Sequence, residues 1–237
     1  LFNDDTVQAD PEEGGRGLAG SAEACYTLLG PVARSWFRFI DCAQVLLAPS
    51  LKERFDVIYL PVATYQRPEV VAKLRRFVED GGTLICADPN AFETDTLGNS
   101  TVAARTELFG VTRGPVHTVN TITPTVKELG PAIPFASDVP ELKPSGQGQV
   151  TALATYHNGD PAITCHVLGK GRAILFARNP FTFSAVTDPA WRGFFTNLAK
   201  WTGAPINLDI WRFQFPKSVI WQDPKQPGFC LTNNHVL

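Results

Sequence analysis

The sequence predicts a three-layer α/β domain built on a mainly parallel sheet, and three stretches carry that prediction. Phe55 to Pro61 (FDVIYLP) is a short, nearly unbroken apolar run, as a strand buried on both faces requires. Pro68 to Asp80 then sets Val70, Val71, Leu74, Phe77 and Val78 on one helical stripe, with Pro68 in the first turn and Gly81-Gly82 as the stop. Thr83 to Ala87 (TLICA) reads as the next strand, which completes a strand, helix and strand unit; a strand and helix unit from Arg172 to Gly203 echoes it. In such units the strands run parallel, and any ligand crevice lies at their carboxyl ends.

The remaining elements follow from local punctuation. Asp10 to Gly20 (DPEEGGRGLAG) is rich in Gly and acid and reads as a mobile loop. Ser21 then caps a helix from Ala22 to Leu29 that turns Ala24, Cys25, Leu28 and Leu29 inward before Gly30-Pro31 breaks it. Trp36 to Ile40 reads as a second short strand, and the first strand of the sheet is placed at Leu1-Phe2 or upstream. After Ala87, Asp88 to Asp95 forms a polar loop, followed by a helix from Val102 to Phe109 that closes on Gly110. Gly114 to Gly148 is dense in Pro, Thr, Gly and Ser and predicts extended segments and loops with little helix. Val150 to Tyr156 and Ala162 to Val167 flank His157-Asn158-Gly159-Asp160-Pro161 as a hairpin, and Gly169-Lys170-Gly171 turns the chain into Arg172 to Ala177. The last helix has Asp188 as cap, Pro189 at its first position, an aromatic face of Trp191, Phe194, Phe195, Leu198 and Trp201, and Gly203 beyond its end. The α/β domain thus occupies residues 1–205. Residues 206–237, with the Trp211-Arg212-Phe213-Gln214-Phe215-Pro216 alternation, are a linker and the start of a β-rich module, in which Trp211 and Trp221 read as core rather than as sugar-stacking platforms.

Composition excludes several functions. A chain of 237 residues, 44% hydrophobic, holds one such domain and a small remainder. A net charge of −2 with dispersed ions gives no footprint for nucleic acid or an anionic membrane, and no apolar run is long enough to span a bilayer. The start at Leu1, the lack of methionine and a final stretch resembling an unfinished strand predict a piece of a longer polypeptide. Cys25, Cys42, Cys86, Cys165 and Cys230 form no CxxC pair and no ligand rhythm with the four histidines, so neither a metal nor another cofactor is expected; localisation stays open.

Candidate chemistry is sparse. Gly169-Lys170-Gly171 lacks the upstream glycine of a phosphate loop and any Ser or Thr after Lys170, and so predicts a tight turn. A nucleophile elbow would place its Cys or Ser after a strand between glycines; Cys86 has the position but is flanked by Leu84 and Asp88. A Cys-dependent amidase or hydrolase using Cys86 is therefore an alternative, with Cys86 expected to be a buried β residue. Asp4, Asp5, Tyr65, Asp88, Asn90 and Glu93 are the candidates to line a crevice at the carboxyl edge, and a sugar-binding module there is a further alternative. Loop solvation and capping explain the same acids without a ligand. No catalytic residue is assigned.

The segments FDVIYLP, FVEDGGTLICAD (Phe77 to Asp88), TELFGV (Thr106 to Val111), GKGRAILFA (Gly169 to Ala177) and WRGFFTNLAKWTGA (Trp191 to Ala204) resemble, in their order and spacing, the class I glutamine amidotransferase-like superfamily. The resemblance is closest to the non-catalytic version that forms the trimerisation domain of family 42 β-galactosidases. It implies a scaffold flavodoxin-like in outline, without amidotransferase chemistry because the Cys elbow is missing. It also implies a non-catalytic accessory or oligomerisation domain of a glycoside hydrolase, set between a catalytic barrel and a small β-sandwich. Its partners would be other domains of the parent chain and further copies of itself. On that basis Phe92, Phe181 and Phe183, with Tyr65, are the candidate interface aromatics, at least two of them exposed.

Overall fold

In the computed structural model the structure describes residues 1–35, 37–146, 148–203, 221–222 and 230–231. The chain opens with α1 (Asp4–Ala9), α2 (Glu13–Thr27), a π-helical turn at Leu28–Val32 and α3 (Cys42–Leu47). The stretch expected to be a mobile loop before Ser21 is thus largely helix. Gly17 and Gly20 lower its propensity, but Leu18 is fully buried and anchors the turn; packing of one apolar face outweighs local preference. Residues 37–40 are not a strand either, although the Ile40 carbonyl accepts a hydrogen bond from the Phe2 N–H at 2.8 Å.

The predicted α/β unit follows: β1 (Val57–Leu60), α4 (Pro68–Glu79) and β2 (Thr83–Cys86). Next come α5 (Val102–Phe109), β3 (Val111–Pro124), a 3₁₀ turn at Lys127–Leu129, β4 (Ile133–Pro144), β5 (Gln149–Tyr156), β6 (Pro161–Leu168) and β7 (Gly171–Phe176). Helices α6 (Phe183–Thr187) and α7 (Pro189–Trp201) complete the domain. Farther on, β8 (Trp221–Gln222) pairs antiparallel with β9 (Cys230–Leu231); Trp211 and the 205/206 boundary lie outside the described residues.

Seven strands form one sheet in the order β1-β2-β7-β6-β5-β3-β4. As the apolar runs predict, β1, β2 and β7 are parallel neighbours, with Val57 opposite Thr83 and Thr83 opposite Arg172. The expectation of a mainly parallel sheet needs correction beyond them, because β6, β5, β3 and β4 join by antiparallel pairing. The α/β class stands, on a mixed sheet. Prolines hid the long β3–β4 ribbon in the sequence. Pro134, Pro140 and Pro144 are tolerated because β4 is an edge strand, and Pro115 falls in a register shift between Arg113 and Val116.

The core lies between sheet and helices. The α4 stripe Val70, Val71, Leu74, Phe77 and Val78 is buried. On α7, Phe194 and Phe195 meet Phe176 at 6.2 and 6.5 Å between ring centroids, and Trp191 meets Phe135 at 5.9 Å. Each such buried ring contributes about 1.5–3 kcal/mol from burial alone. Gly169-Lys170-Gly171 is the tight turn its sequence predicts, with Gly169 at φ +60°. A Cβ on Gly171 would come within 2.3 Å of the Gly82 and Val78 carbonyl oxygens, so this turn must be bare to pack against the end of α4.

Candidate functional site

The carboxyl ends of β1, β2 and β7 carry three loops, 61–67, 87–101 and 177–182, and the segment from Asn3 to Thr6 closes on the first. Asn3 Nδ2 donates to the Val62 and Tyr65 carbonyls, and Thr6 Oγ1 donates to the Tyr65 carbonyl at 2.9 Å. Tyr65 in turn forms a parallel bridge with Thr94, which ties the first loop to the second.

This stitching decides what the predicted acids do. Asp5 is buried: its Oδ2 accepts from Gln66 Nε2 at 2.6 Å and the Arg67 N–H at 3.0 Å, and its Oδ1 from Arg67 Nε at 2.8 Å. Asp4 is half-buried and takes the Cys42 N–H; burial would raise its pKa, but the hydrogen bonds from Cys42 outweigh this and hold it below the usual carboxylate value. Asp88 is buried on the other side of the same loop. Its Oδ2 accepts from the Ala63 N–H and Thr64 Oγ1, and its Oδ1 from the Asn90 N–H, all at 2.8 Å. Burial raises its pKa against those three bonds. Tyr65, Asn90 and Glu93 are half-exposed along the rim, so the structure brings the six candidates around loop 61–67, with the oxygens of Asp5 and Asp88 already engaged.

Asp4, Asp5 and Cys42 place a carboxylate oxygen each and a sulfur within 4.8 Å of one another, close enough to suggest a metal centre. These atoms already serve one another's neighbours: Cys42 Sγ lies 3.4 Å from both Asn3 Oδ1 and Gln66 Nε2, Asp5 takes Gln66 and Arg67, and Asp4 takes the Cys42 N–H.

Cys86 ends β2, fully buried, with an ordinary strand backbone. Burial first, then the neighbouring Asp88 charge, raises its thiol well above the usual value, and its contact is the Asp88 carbonyl at 3.7 Å. The interface aromatics divide. Phe183 on α6 is 83% exposed, but Phe92 and Phe181 are buried, at 0% and 2%. Phe92 stacks on Phe109 and Phe181 on Phe195, so both strand-following rings turn into the core.

Two residues at this edge escaped the sequence reading. Arg105, on α5, is only 4% exposed, and Arg113 is the third residue of β3, its Nη1 3.4 Å from Glu93 Oε2. The signal was present: Arg105 stands three and four residues before Leu108 and Phe109, on the buried stripe of its helix.

The fold is shared with one part of several larger chains. The β-galactosidase from Bacillus circulans sp. alkalophilus matches with a TM-score of 0.60 and 16% identity, over 78% of this chain and 27% of that one. The cold-adapted β-galactosidase from Rahnella sp. R3 matches at 0.59 and 20% identity, over 80% and 27%. An exo-β-1,4-mannosidase from Opitutaceae bacterium strain TAV5 matches at 0.56 and 18%, over 78% and 31%. This chain therefore spans about a quarter of the length of the β-galactosidases that share its fold. No curated protein matches the sequence. The family model described as the β-galactosidase trimerisation domain matches residues 48–204, and the chain belongs to that family.

Proposed function

We propose that this chain is the non-catalytic accessory unit of a longer carbohydrate-active enzyme, a glycoside hydrolase resembling β-galactosidase, in which it brings subunits together and docks against the catalytic part. The trimerisation-domain match over residues 48–204 carries this reading. The engaged carboxylates of Asp5 and Asp88 and the buried thiol of Cys86 support it, since none of these three, among the described residues of the carboxyl edge, is poised as an acid, a base or a nucleophile. The parallel trio β1, β2 and β7 with α4 packed on it supports reading the scaffold as class I glutamine amidotransferase-like and flavodoxin-like in outline, with the Cys elbow lost.

Phe183 is the side chain best placed to anchor self-association, a large aromatic almost wholly in water on the short α6. Light scattering of the full-length protein tests both levels. The parent should be oligomeric, and Phe183→Ser should shift it to a lower mass without loss of helix content. An unchanged mass in the variant removes Phe183 from the interface, and a monomeric parent overturns the assembly function itself.

A further inference from the structure

Buried polar groups almost always find partners, so orphans that gather in one place mark something missing from that place. Among the described residues, eight buried side-chain polar atoms lack a hydrogen-bond partner; Ser35, Tyr59, Gln66 and Tyr156 hold one each, whereas the Nε and Nη1 of Arg105, the Nε of Arg113 and the Oγ1 of Thr94 belong to the loop from Asp88 to Ser100 and the two elements that follow it. Arg105 is the more deeply buried of the two arginines. Arg113 and Glu93 form a partly open rim, with side-chain exposures of 29% and 45%.

Charge counting shows what is lacking. Two guanidinium groups, which stay protonated in proteins, face two carboxylates, but Asp88 is held by the Ala63 and Asn90 N–H groups and by Thr64. Glu93 alone is available, and it reaches only Arg113, at a long 3.4 Å. Burial, and then the charge of Arg113, depress the Arg105 pKa against the opposing pull of Glu93 and Asp88, and neither carboxylate takes the Arg105 Nε or Nη1 as a hydrogen-bond donor.

We infer that Arg105 and Arg113 form a binding site for a small oxoanion of the phosphate or sulfate type, which enters past Glu93 and accepts hydrogen bonds from both guanidinium groups. An oxoanion suits the place because several of its oxygens accept at once, matching the free Nε and Nη1 donors of Arg105 together with the free Nε of Arg113. Glu93 is then an internal competitor, occupying Arg113 when the anion is absent.

Isothermal titration calorimetry of the full-length protein with inorganic phosphate, at ionic strength fixed by sodium chloride, tests the site. The expected result is saturable binding that Arg113→Gln abolishes. Glu93→Gln, which removes the competing charge, should tighten it by about tenfold. Both variants change partly exposed side chains and leave buried Arg105 in place, so both should fold. Binding that is absent, non-saturable or unaltered by Arg113→Gln overturns the inference, and so does binding weakened by Glu93→Gln, because a true competitor cannot assist.

Discussion

Phe92 has φ +55°, a left-handed conformation that non-glycine residues adopt at a cost of about 1–3 kcal/mol. It is held there from every side. Its N–H donates to the Ala63 carbonyl at 2.8 Å, its carbonyl accepts from Thr101 Oγ1 at 2.8 Å, and its ring stacks on Phe109 at 5.9 Å. The residue is thus a rivet that fixes the loop from Asp88 to Ser100 over the end of the sheet. Phe92→Ala keeps the backbone strain and loses the ring, and should cost about 3 kcal/mol in urea denaturation. A cost below about 1 kcal/mol would mean that the loop, not the ring, carries the packing. Sequence inspection favours exposure for such a residue because its neighbours Asn90, Glu93 and Asp95 are polar. The burial follows from a single left-handed residue, which no local pattern announces.

At the level of elements, the helices are well specified by their ends. In α7 the Asp188 carboxylate accepts from the Ala190 N–H at 2.7 Å, Pro189 fills the first turn without an N–H to satisfy, and Gly203 leaves at φ +73°. Asp188→Ala should lower stability by about 1 kcal/mol, while Asp188→Asn, which retains an acceptor, should be nearly neutral; denaturation midpoints at unchanged slope measure both. Equal losses in the two variants would place the effect in charge rather than in the cap. Helix α5 ends in the same way, with Gly110 at φ +68° and the Leu108 carbonyl 2.9 Å from His166 Nδ1 on β6. A Cβ on Gly110 would meet Val150 at 2.5 Å, so here a sequence stop signal is also a packing requirement.

Over the whole molecule, stability depends on pH through groups of opposite sign. Asp95 is held below the usual carboxylate value, first by the Asn99 side chain and then by backbone N–H groups, so its contribution is present above that value and is lost as pH falls through the depressed one. Asp88, raised by burial, works in reverse: its contribution is full at low pH and declines as pH rises through its elevated value. Asp95→Asn should therefore lose less stability than the parent between about pH 5 and about pH 3, and Asp88→Asn should flatten the decline on the higher side. Denaturation midpoints across that range decide the matter, and identical acid limbs in parent and Asp95→Asn would assign acid unfolding to other carboxylates.

Much of this molecule could be read directly from its residues. The parallel trio β1, β2 and β7, the amphipathic α4 and α7, the turn at Gly169 and the burial of Cys86 all follow from apolar periodicity and from Pro, Gly and Asp at element ends, because those signals act within one or two turns of chain. Tertiary structure decided the rest. The antiparallel half of the sheet depends on pairing partners distant in sequence and on an edge position that excuses the prolines of β4. The fate of Asp5 and Asp88 depends on loop 61–67 arriving to occupy their oxygens. The isolation of Arg105 depends on a helix stripe meeting a strand that brings a second arginine and too few free carboxylates. Local sequence fixes where a chain turns and which face is apolar; which polar groups end with partners is a property of contacts between segments, and it exists only once the chain has folded.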